Sequence, residues 1–269
     1  MKNIEFKNIY ELVAFNLKIN KKKILTWGTI IFTIMALYMI LFSSVQELAS
    51  AKFEAMPTEI LQFVGMENLS SMANYNTYFA IIFNLILVAV SIFIASFSCE
   101  LIAKEEKSGT IELLNSLKIS RFEIYIAKYL CATATAGIVL ALAVISGIVC
   151  GVIGGGDTFN FVELISNAKV SSFAVLIFSG FAFLFSGTSL KLGSAGIASG
   201  VVLASYMLGY LGQILEDKAE FLCYFSPFIS LNSQMASNEQ IMISMSIYFI
   251  IYVACVIVGG INYNKRDLG

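Results

Sequence analysis

The chain has 269 residues, of which 58% are apolar and 13% are charged, and its formal net charge is −1. Average soluble domains carry about 25% charged residues, so this chain has roughly half the usual charged surface. The composition excludes a soluble globular fold, a nucleic-acid-binding protein and a disulfide-stapled secreted domain.

The first segment, 1–23, precedes any long apolar stretch and has a helical pattern. Ile9, Val13 and Leu17 recur at four-residue spacing, and lysines and glutamates occupy the remaining face. An amphipathic pattern of this kind favours a helix on a membrane surface. We predict a cytoplasmic interfacial helix over 1–23, with the lysine cluster at 21–23 facing anionic head groups.

Six later stretches, each 21 to 32 residues long, contain no aspartate, glutamate, lysine or arginine. A helix needs about 20 apolar residues to cross the hydrocarbon layer of a bilayer. The sequence therefore predicts an all-α integral membrane protein with six transmembrane helices in a transmembrane domain over 24–264. The predicted spans are 24–46, 76–99, 126–153, 170–189, 193–214 and 240–263.

Two segments between the spans need a separate interpretation. Pro57 and Gly65 bracket an apolar run in the first external loop, which predicts a short helix there. Residues 221–238 are uncharged, but they are few, contain Pro227 and end in a polar run. We therefore predict a re-entrant or interfacial hairpin on the outer side instead of a seventh span.

The largest cytoplasmic segment between spans, 100–125, joins the second span to the third. Ser120 followed by Glu123 forms the S-x-x-E pattern of a capping box. We predict that the helix of the third span begins here, inside the cytoplasm. Asn160 with Glu163 predicts a second capping pair before the fourth span.

The cations are distributed unevenly along the chain. With six spans and a cytoplasmic N-terminus, fourteen of the seventeen lysines and arginines lie on cytoplasmic segments, and only Lys52, Lys169 and Lys218 lie outside. The positive-inside rule requires this bias. We predict a multi-pass protein of the cell membrane with both termini, including the tail 265–269, in the cytoplasm.

The sequence lacks the residues of most catalytic sites. It contains no histidine, no cysteine pair with metal-ligand spacing and no phosphate-binding loop, which excludes histidine-dependent triads and the usual nucleotide cradle. We expect no enzyme activity, no catalytic residue, no metal and no cofactor in this chain. The spans show no acidic or basic group at membrane depth, which disfavours an ion-coupled carrier and indicates that energy arrives from a partner.

The polar and small residues within the spans give the remaining candidates. Asn84 is the polar candidate for a substrate path, although most such groups are expected to bond to a neighbouring helix. The spacing of Gly196 and Gly200 lets helix backbones approach closely. Two interpretations stay open for these glycines: packing within the subunit, or a subunit interface or wall of a substrate path. The other notable polar groups are Thr133, Thr135, Ser146, Ser179, Ser186 and Ser205.

The cytoplasmic segment carries a resemblance to a known family. Its residues are Glu100, Glu105, Glu106, Lys107, Ser108, Gly109, Thr110, Ile111, Glu112, Leu113 and Leu114, then Ser116, Ile119, Ser120, Arg121, Glu123, Ile124 and Lys128. The run Tyr224-x-Ser226-Pro227-Phe228 and the terminal Lys265-Arg266-Asp267-Leu268 add to it. With the six-span outline, these motifs resemble the permeases of type-2 ABC transporters over essentially the whole chain.

The resemblance implies a type-2 ABC exporter permease fold with a cytoplasmic coupling helix. A permease of this kind dimerises with a second copy or a paralogue, and it seats the coupling helix in a separate ATPase subunit that binds ATP and Mg²⁺. In this family the second and fifth spans of the two copies tend to face each other across the pathway. The residues that the resemblance places at or beside the ATPase contact are Glu105, Gly109, Thr110, Glu112, Leu113, Leu114, Arg121 and Glu123.

The leading hypothesis is therefore the membrane subunit of an ATP-powered exporter. Its apolar, weakly polar lining suits an amphipathic substrate such as a peptide, a drug or a lipid. The alternatives are an ion-coupled secondary carrier, and a non-transporting membrane scaffold or sensor.

Overall fold

A computed structural model describes residues 6–50, 72–107, 119–188, 194–215, 219–232 and 236–265. Nearly all of these residues are helical. The helices are α1 (Phe6–Ile40), α2 (Phe42–Ser50), α3 (Tyr75–Lys107), α4 (Arg121–Gly154), α5 (Phe161–Thr188), α6 (Ser194–Ile214), α7 (Pro227–Ser230) and α8 (Asn238–Lys265). Two short 3₁₀ helices, Gly156–Thr158 and Glu220–Phe225, lie between them. The external helix predicted after Pro57 lies outside the described residues.

Six of these helices are long and apolar enough to cross a membrane: α1, α3, α4, α5, α6 and α8. Even the shortest, α6, has 21 residues and reaches about 30 Å at 1.5 Å per residue, which matches the hydrocarbon thickness. The predicted fold class, an all-α membrane protein with six spans, is confirmed.

Helix α3 lies at the centre of the bundle. It packs against α5, α6 and α4, whereas α1 lies mainly on α4 and α8 mainly on α5. The most apolar part of α3 is 72% buried inside the protein, compared with 22% for α8. Side chains of α3 therefore face other helices, and those of α8 mostly face outward.

The predicted interfacial helix over 1–23 is not a separate element. From Phe6 the chain continues as one helix to Ile40, because no glycine or proline interrupts it before the first span and lysine is a good helix former. Its first half is nevertheless inclined to α4. Gly28 lies against Leu142, and the stretch from Phe6 to Val13 lies beside 130–134. Between these two points α1 passes through more residues than α4 does, so the two helices are not parallel.

At the end of the bundle where α4 finishes and α5 begins, Asn76 joins two chain segments. It is fully buried, its Nδ2 donates to the Asn160 carbonyl at 3.1 Å and to Glu163 Oε2 at 2.9 Å, and its Oδ1 accepts from the Asn160 amide. Asn160 Oδ1 in turn accepts from the amides of Val162 and Glu163. The predicted cap is present, but Asn76 supplies the partner that Glu163 was expected to supply.

The turn before this cap depends on one glycine. Gly156 has a φ of 53°, a left-handed conformation that glycine adopts without steric cost. It follows the last residue of the α4 cap, Gly155, and it lets the chain reverse into α5.

Helices α5 and α8 approach each other backbone to backbone near their C-terminal ends. A Cβ added at Gly187 would meet the main chain of Gly259. One added at Gly259 would lie 2.7 Å from Tyr125 Oη and 2.8 Å from the Phe183 carbonyl oxygen. The two glycines therefore let α5 and α8 pack closely while Tyr125 of α4 fills the space beside them.

Candidate functional site

A stripe of neutral polar side chains runs along the central helix α3. Asn84, Ser91 and Ser98 are seven residues apart, so they share one helix face, and all three are buried. Asn84 Oδ1 and the hydroxyls of Ser91 and Ser98 have no hydrogen-bond partner among the described residues. Buried polar atoms are nearly always hydrogen-bonded. The stripe is thus one of the places in the described bundle where buried polar atoms have no protein partner; Gln213 Oε1 and Ser226 Oγ are two others.

The hydroxyl of Ser179 on α5 adds to this group. It is fully buried and likewise has no partner among the described residues, and α5 packs directly against α3. The polar side chains that lie together here on α3 and α5 are all uncharged. Sequence reasoning identified Asn84 and Ser179 but missed the period of seven that relates Asn84 to Ser91 and Ser98.

The segment 219–232 closes one end of the bundle. It forms a 3₁₀ helix and the four-residue α7, and all four residues of α7 are buried. The described part of 221–238 therefore holds no spanning helix, as expected for a hairpin. Because Pro227 starts α7 and lacks an amide hydrogen, a continuous helix through this segment is disfavoured.

Side chains from the spans hold this segment by its main-chain carbonyls. Asn84 Nδ2 donates to the Phe228 carbonyl at 2.8 Å, and Ser205 Oγ donates to the Phe225 carbonyl at 2.8 Å. Tyr248 Oη donates to the Tyr224 carbonyl at 2.7 Å. Three spans, α3, α6 and α8, are thereby tied to one short segment.

Helix α6 has two glycine-containing faces with different surroundings. A Cβ at Gly209 would meet Ser226 Oγ at 2.6 Å, and one at Gly212 would meet Cys223 Sγ at 2.8 Å. These two glycines let segment 219–232 approach α6. Gly196 and Gly200 are exposed, and a Cβ at either would meet nothing within 4 Å.

Packing within the subunit therefore does not explain the Gly196 and Gly200 pair among the described residues. The structure also separates these glycines from Asn84, which is buried beside Phe228. Beside Gly200, the contact between α3 and α6 is made by Ser96 and Ser199, whose hydroxyl oxygens are 2.8 Å apart. The glycine pair lies on an outward face of α6, which leaves the interpretation as a subunit interface or the wall of a substrate path.

The start of α4 is built as predicted from the capping box. The Glu123 amide donates to Ser120 Oγ at 3.2 Å, and the Ser120 amide donates to Glu123 Oε2 at 2.6 Å. Glu123 is only 1% exposed, and its carboxylate accepts from the Ser120 amide at the helix start. Arg121 is the first residue of α4 and is partly exposed.

Most residues that the resemblance assigned to the ATPase contact lie outside the part of the chain that the structure describes. Glu105 belongs to the last turn of α3, and its side chain lies outside the described part. Gly109, Thr110, Glu112, Leu113 and Leu114 lie outside the described residues altogether. The predicted coupling helix therefore lies outside the described residues.

The middle of α1 and the C-terminal part of α3 are joined by contacts that the sequence did not indicate. Lys23 forms an ion pair with Glu100 and lies 5.8 Å from the centre of the Phe97 ring. One turn further, Trp27 stacks on Phe93 with ring centres 4.6 Å apart. Both charged groups are partly exposed, so the ion pair contributes little free energy but orients α1 on the helix that leads into 100–125.

One cation lies in an environment that sequence reasoning did not foresee. Lys128 was counted with the cytoplasmic cations, and the spans were expected to hold no basic group, yet it is only 1% exposed within α4. Its ammonium group lies 6.0 Å from the centre of the Tyr263 ring of α8. Lys128 follows Glu123 by five residues, which is less than two helical turns, so it belongs to the charged end of α4 and not to its middle.

The described residues include no group of three potential metal ligands. What the arrangement offers is a tightly packed apolar bundle, a buried neutral polar stripe on α3, a short segment that closes one end, and an outward glycine face on α6.

A comparison with protein families supports the same interpretation. A family model described as "Multidrug efflux system permease Rv1217c, C-terminal domain" matches residues 11–264, which is nearly the whole chain. No curated protein matches the chain.

Proposed function

We propose the function of this chain from one premise: it belongs to the family of the multidrug efflux system permease Rv1217c, C-terminal domain. It is a multi-pass membrane permease of an exporter. We further propose that it is the transmembrane subunit of an ATP-binding cassette transporter, powered by a separate ATPase subunit with bound ATP and Mg²⁺. Reconstitution into vesicles with and without that subunit tests this proposal, and only the pair should export substrate.

The segment between α3 and α4 is proposed to be the ATPase contact. The helix that enters it, α3, is the central helix of the bundle, and its cytoplasmic end is tied to α1 through Lys23 and Glu100. The helix that leaves it, α4, starts at a complete capping box. A push on this segment therefore acts on three spans at once. This supports a role in passing movement from an ATPase to the bundle.

We propose that the substrate is amphipathic, such as a peptide, a drug or a lipid. The single observation that carries this is the stripe of Asn84, Ser91 and Ser98 on α3, which has unpartnered polar atoms among apolar neighbours. Such a surface provides hydrogen bonds without a charge, and its apolar surroundings accept the rest of an amphipathic molecule. An ion-coupled carrier is less favoured, because ionisable groups in the middle of the spans usually mark such mechanisms and the six uncharged stretches hold none.

If the stripe lines the substrate path, Ser91→Ala and Ser98→Ala will slow export without destabilising the protein. Each substitution removes a buried hydroxyl that has no partner, so it removes a desolvation cost and leaves stability equal or higher. Ser146→Ala is the matched control, because Ser146 Oγ donates to the Phe32 carbonyl at 3.1 Å and its loss should lower stability by about 1 kcal/mol. Thermal unfolding in detergent and export from vesicles are measured for each variant. Normal export by Ser91→Ala with Ser98→Ala would place the path elsewhere.

The proposed orientation predicts which positions a thiol reagent reaches from outside intact cells. Single cysteines at Lys52 and Lys218 should be labelled, whereas a cysteine at Lys265 should be labelled only after the cells are opened. The native cysteines are replaced by alanine for this measurement. The charge asymmetry across the membrane motivates the expectation, and a labelled position 265 in intact cells would overturn the six-span orientation.

We propose that the outward face of α6 is the contact with a second permease copy or a paralogue. Gly196 and Gly200 are exposed and have no neighbour within 4 Å of an added Cβ, and small residues at this spacing let two helices approach. In a homodimer, Gly200→Cys should form a disulfide-linked dimer under mild oxidation in membranes. Ile257 on α8 is 55% exposed, and Ile257→Cys should not. Equal cross-linking at both positions would argue for random collision and against this interface.

A further inference from the structure

An apolar groove separates the first half of α1 from α4. Its volume is about 560 Å³, and it is lined by Phe6, Ile9, Tyr10 and Val13 of α1 and by Leu130, Thr133 and Ala134 of α4. This volume is within the roughly 300–1,000 Å³ of small-molecule sites. The groove is a consequence of the inclination of α1 to α4.

The α4 wall of the groove lies at the edge of the apolar part of the span. Lys128 is the last charged residue of α4, and the chain has no further charge until Asp157. Leu130, Thr133 and Ala134 therefore occupy the first two turns of the uncharged stretch. The groove opens at the level where the hydrocarbon layer begins on the side of the proposed cytoplasmic face.

The lining selects for an apolar occupant. Thr133 is its only hydroxyl besides Tyr10, and Thr133 Oγ1 is already within hydrogen-bond distance of the Tyr129 and Leu130 carbonyls of its own helix. Two aromatic rings of α1 are largely uncovered by the protein, with Phe6 85% and Tyr10 76% exposed. Large exposed apolar surfaces mark contact sites for other molecules, and here a hydrocarbon chain would cover them.

A row of cations lies on α1, the helix that forms one wall of the groove. Phe6, Ile9, Tyr10 and Val13 share one face of α1 by helical spacing, and Lys7, Lys18 and Lys21 follow one flank of that face. All three lysines are exposed. One acidic residue, Glu11, lies on the same flank, so the flank is net positive. Such a row attracts anionic head groups at a membrane surface.

We propose that this groove is a binding site for an anionic phospholipid of the cytoplasmic leaflet. One acyl chain lies between α1 and α4, against Val13, Leu130 and Ala134, and the head group contacts the lysine flank. Bound there, the lipid fills the space that the inclined α1 leaves open and holds the first half of α1 at the bilayer surface. The proposal rests on the cytoplasmic placement of the start of α1 given under the proposed function.

Photolabelling of the full-length protein in phosphatidylcholine vesicles tests the site. The probe is phosphatidylglycerol with a diazirine in its acyl chain, added as a minor component, and the adducts are located by mass spectrometry. We expect adducts at 6–13 and 130–134 to exceed those at Val149 and Val152, exposed residues at the other end of α4, by several-fold. Unlabelled phosphatidylglycerol should compete for these adducts, and additional phosphatidylcholine should not.

Variants separate the parts of the site. Val13→Trp fills the groove and should abolish the groove adducts, as should Ala134→Phe from the opposite wall. Val149→Trp, a change of the same size on an open face, should leave them intact. Replacing Lys7, Lys18 and Lys21 by glutamine should remove the preference for phosphatidylglycerol over phosphatidylcholine.

The outcomes distinguish this site from the proposed function. Uniform adducts along α4, or groove adducts that survive both filling variants, would overturn the lipid site. Cysteine labelling of position 265 in intact cells is measured in parallel. Correct orientation without groove adducts contradicts the lipid site alone, whereas groove adducts with a reversed orientation contradict the cytoplasmic-leaflet assignment and the proposed topology.

Discussion

The double variant Leu113→Asp with Leu114→Asp is expected to lose both the ATPase subunit and all transport-linked ATP turnover. The two leucines are adjacent apolar residues in a charged segment that joins α3 to α4, and exposed apolar groups in such a place indicate a docking surface. Two carboxylates placed in a desolvated contact cannot be accommodated without a large free-energy cost. Co-purification of the ATPase from membranes and ATP hydrolysis by the purified pair measure the effect.

A charge-matched control shows whether the apolar groups or the added charges matter. Asn115→Asp with Ser116→Asp adds the same two charges to the same segment and removes no apolar side chain. We expect it to keep most ATPase recovery, and we expect both double variants to insert into the membrane at normal levels. Normal recovery and turnover with Leu113→Asp and Leu114→Asp would place the ATPase contact elsewhere on the chain.

Gly259→Val is expected to reduce the amount of folded protein more than the same change at Gly260, the other glycine of α8. A Cβ at Gly259 would lie 2.8 Å from the Phe183 carbonyl oxygen and 3.1 Å from Leu184 Cα, and these main-chain atoms cannot move without displacing α5. Overpacking of this kind costs about 1–3 kcal/mol, and occasionally more. The yield of monodisperse protein and its thermal midpoint in detergent measure the effect.

Gly137→Val is the matched control for this prediction. Gly137 is an exposed residue of α4, and a Cβ there would meet nothing within 4 Å. It should therefore express and melt as the natural protein does. Equal behaviour of Gly259→Val and Gly137→Val would contradict the close contact between α5 and α8.

Local signals in the sequence predicted much of this architecture. Six uncharged stretches long enough to cross a bilayer gave the six spans, because the hydrophobic thickness sets a length that composition alone reveals. Ser120 and Glu123 gave the start of α4, because a capping box involves only residues three apart. Pro227 excluded a continuous helix through segment 219–232 for a similarly local reason.

Contacts between distant parts of the chain were not predictable in this way. The ion pair of Lys23 with Glu100, and the bond from Asn84 to the Phe228 carbonyl, join residues far apart in sequence. They depend on which helix faces meet. A helix that is apolar on all sides gives no sequence signal for which of its faces meets which neighbour. The burial of Lys128 was not predictable either, because charge statistics describe segments and not the burial of one side chain.

The two glycine pairs of α6 show the same limit. The sequence spacing of Gly196 and Gly200 was compatible with packing inside the subunit, and only the structure shows that these glycines point away from it while Gly209 and Gly212 point toward segment 219–232. The interfacial helix over 1–23 failed as a separate element for a related reason. An amphipathic pattern indicates which face of a helix lies on a surface. It does not indicate where one helix ends and the next begins.

The most direct test of the central claim is ATP-driven export by defined components. The purified chain is reconstituted into vesicles with its ATPase subunit, alone, and with an ATPase subunit unable to hydrolyse ATP, and movement of a fluorescent amphipathic dye is followed. We predict dye transport and dye-stimulated ATP hydrolysis only with the active pair. Dye transport by the chain alone under an ion gradient, or equal transport with the inactive ATPase subunit, would contradict the account.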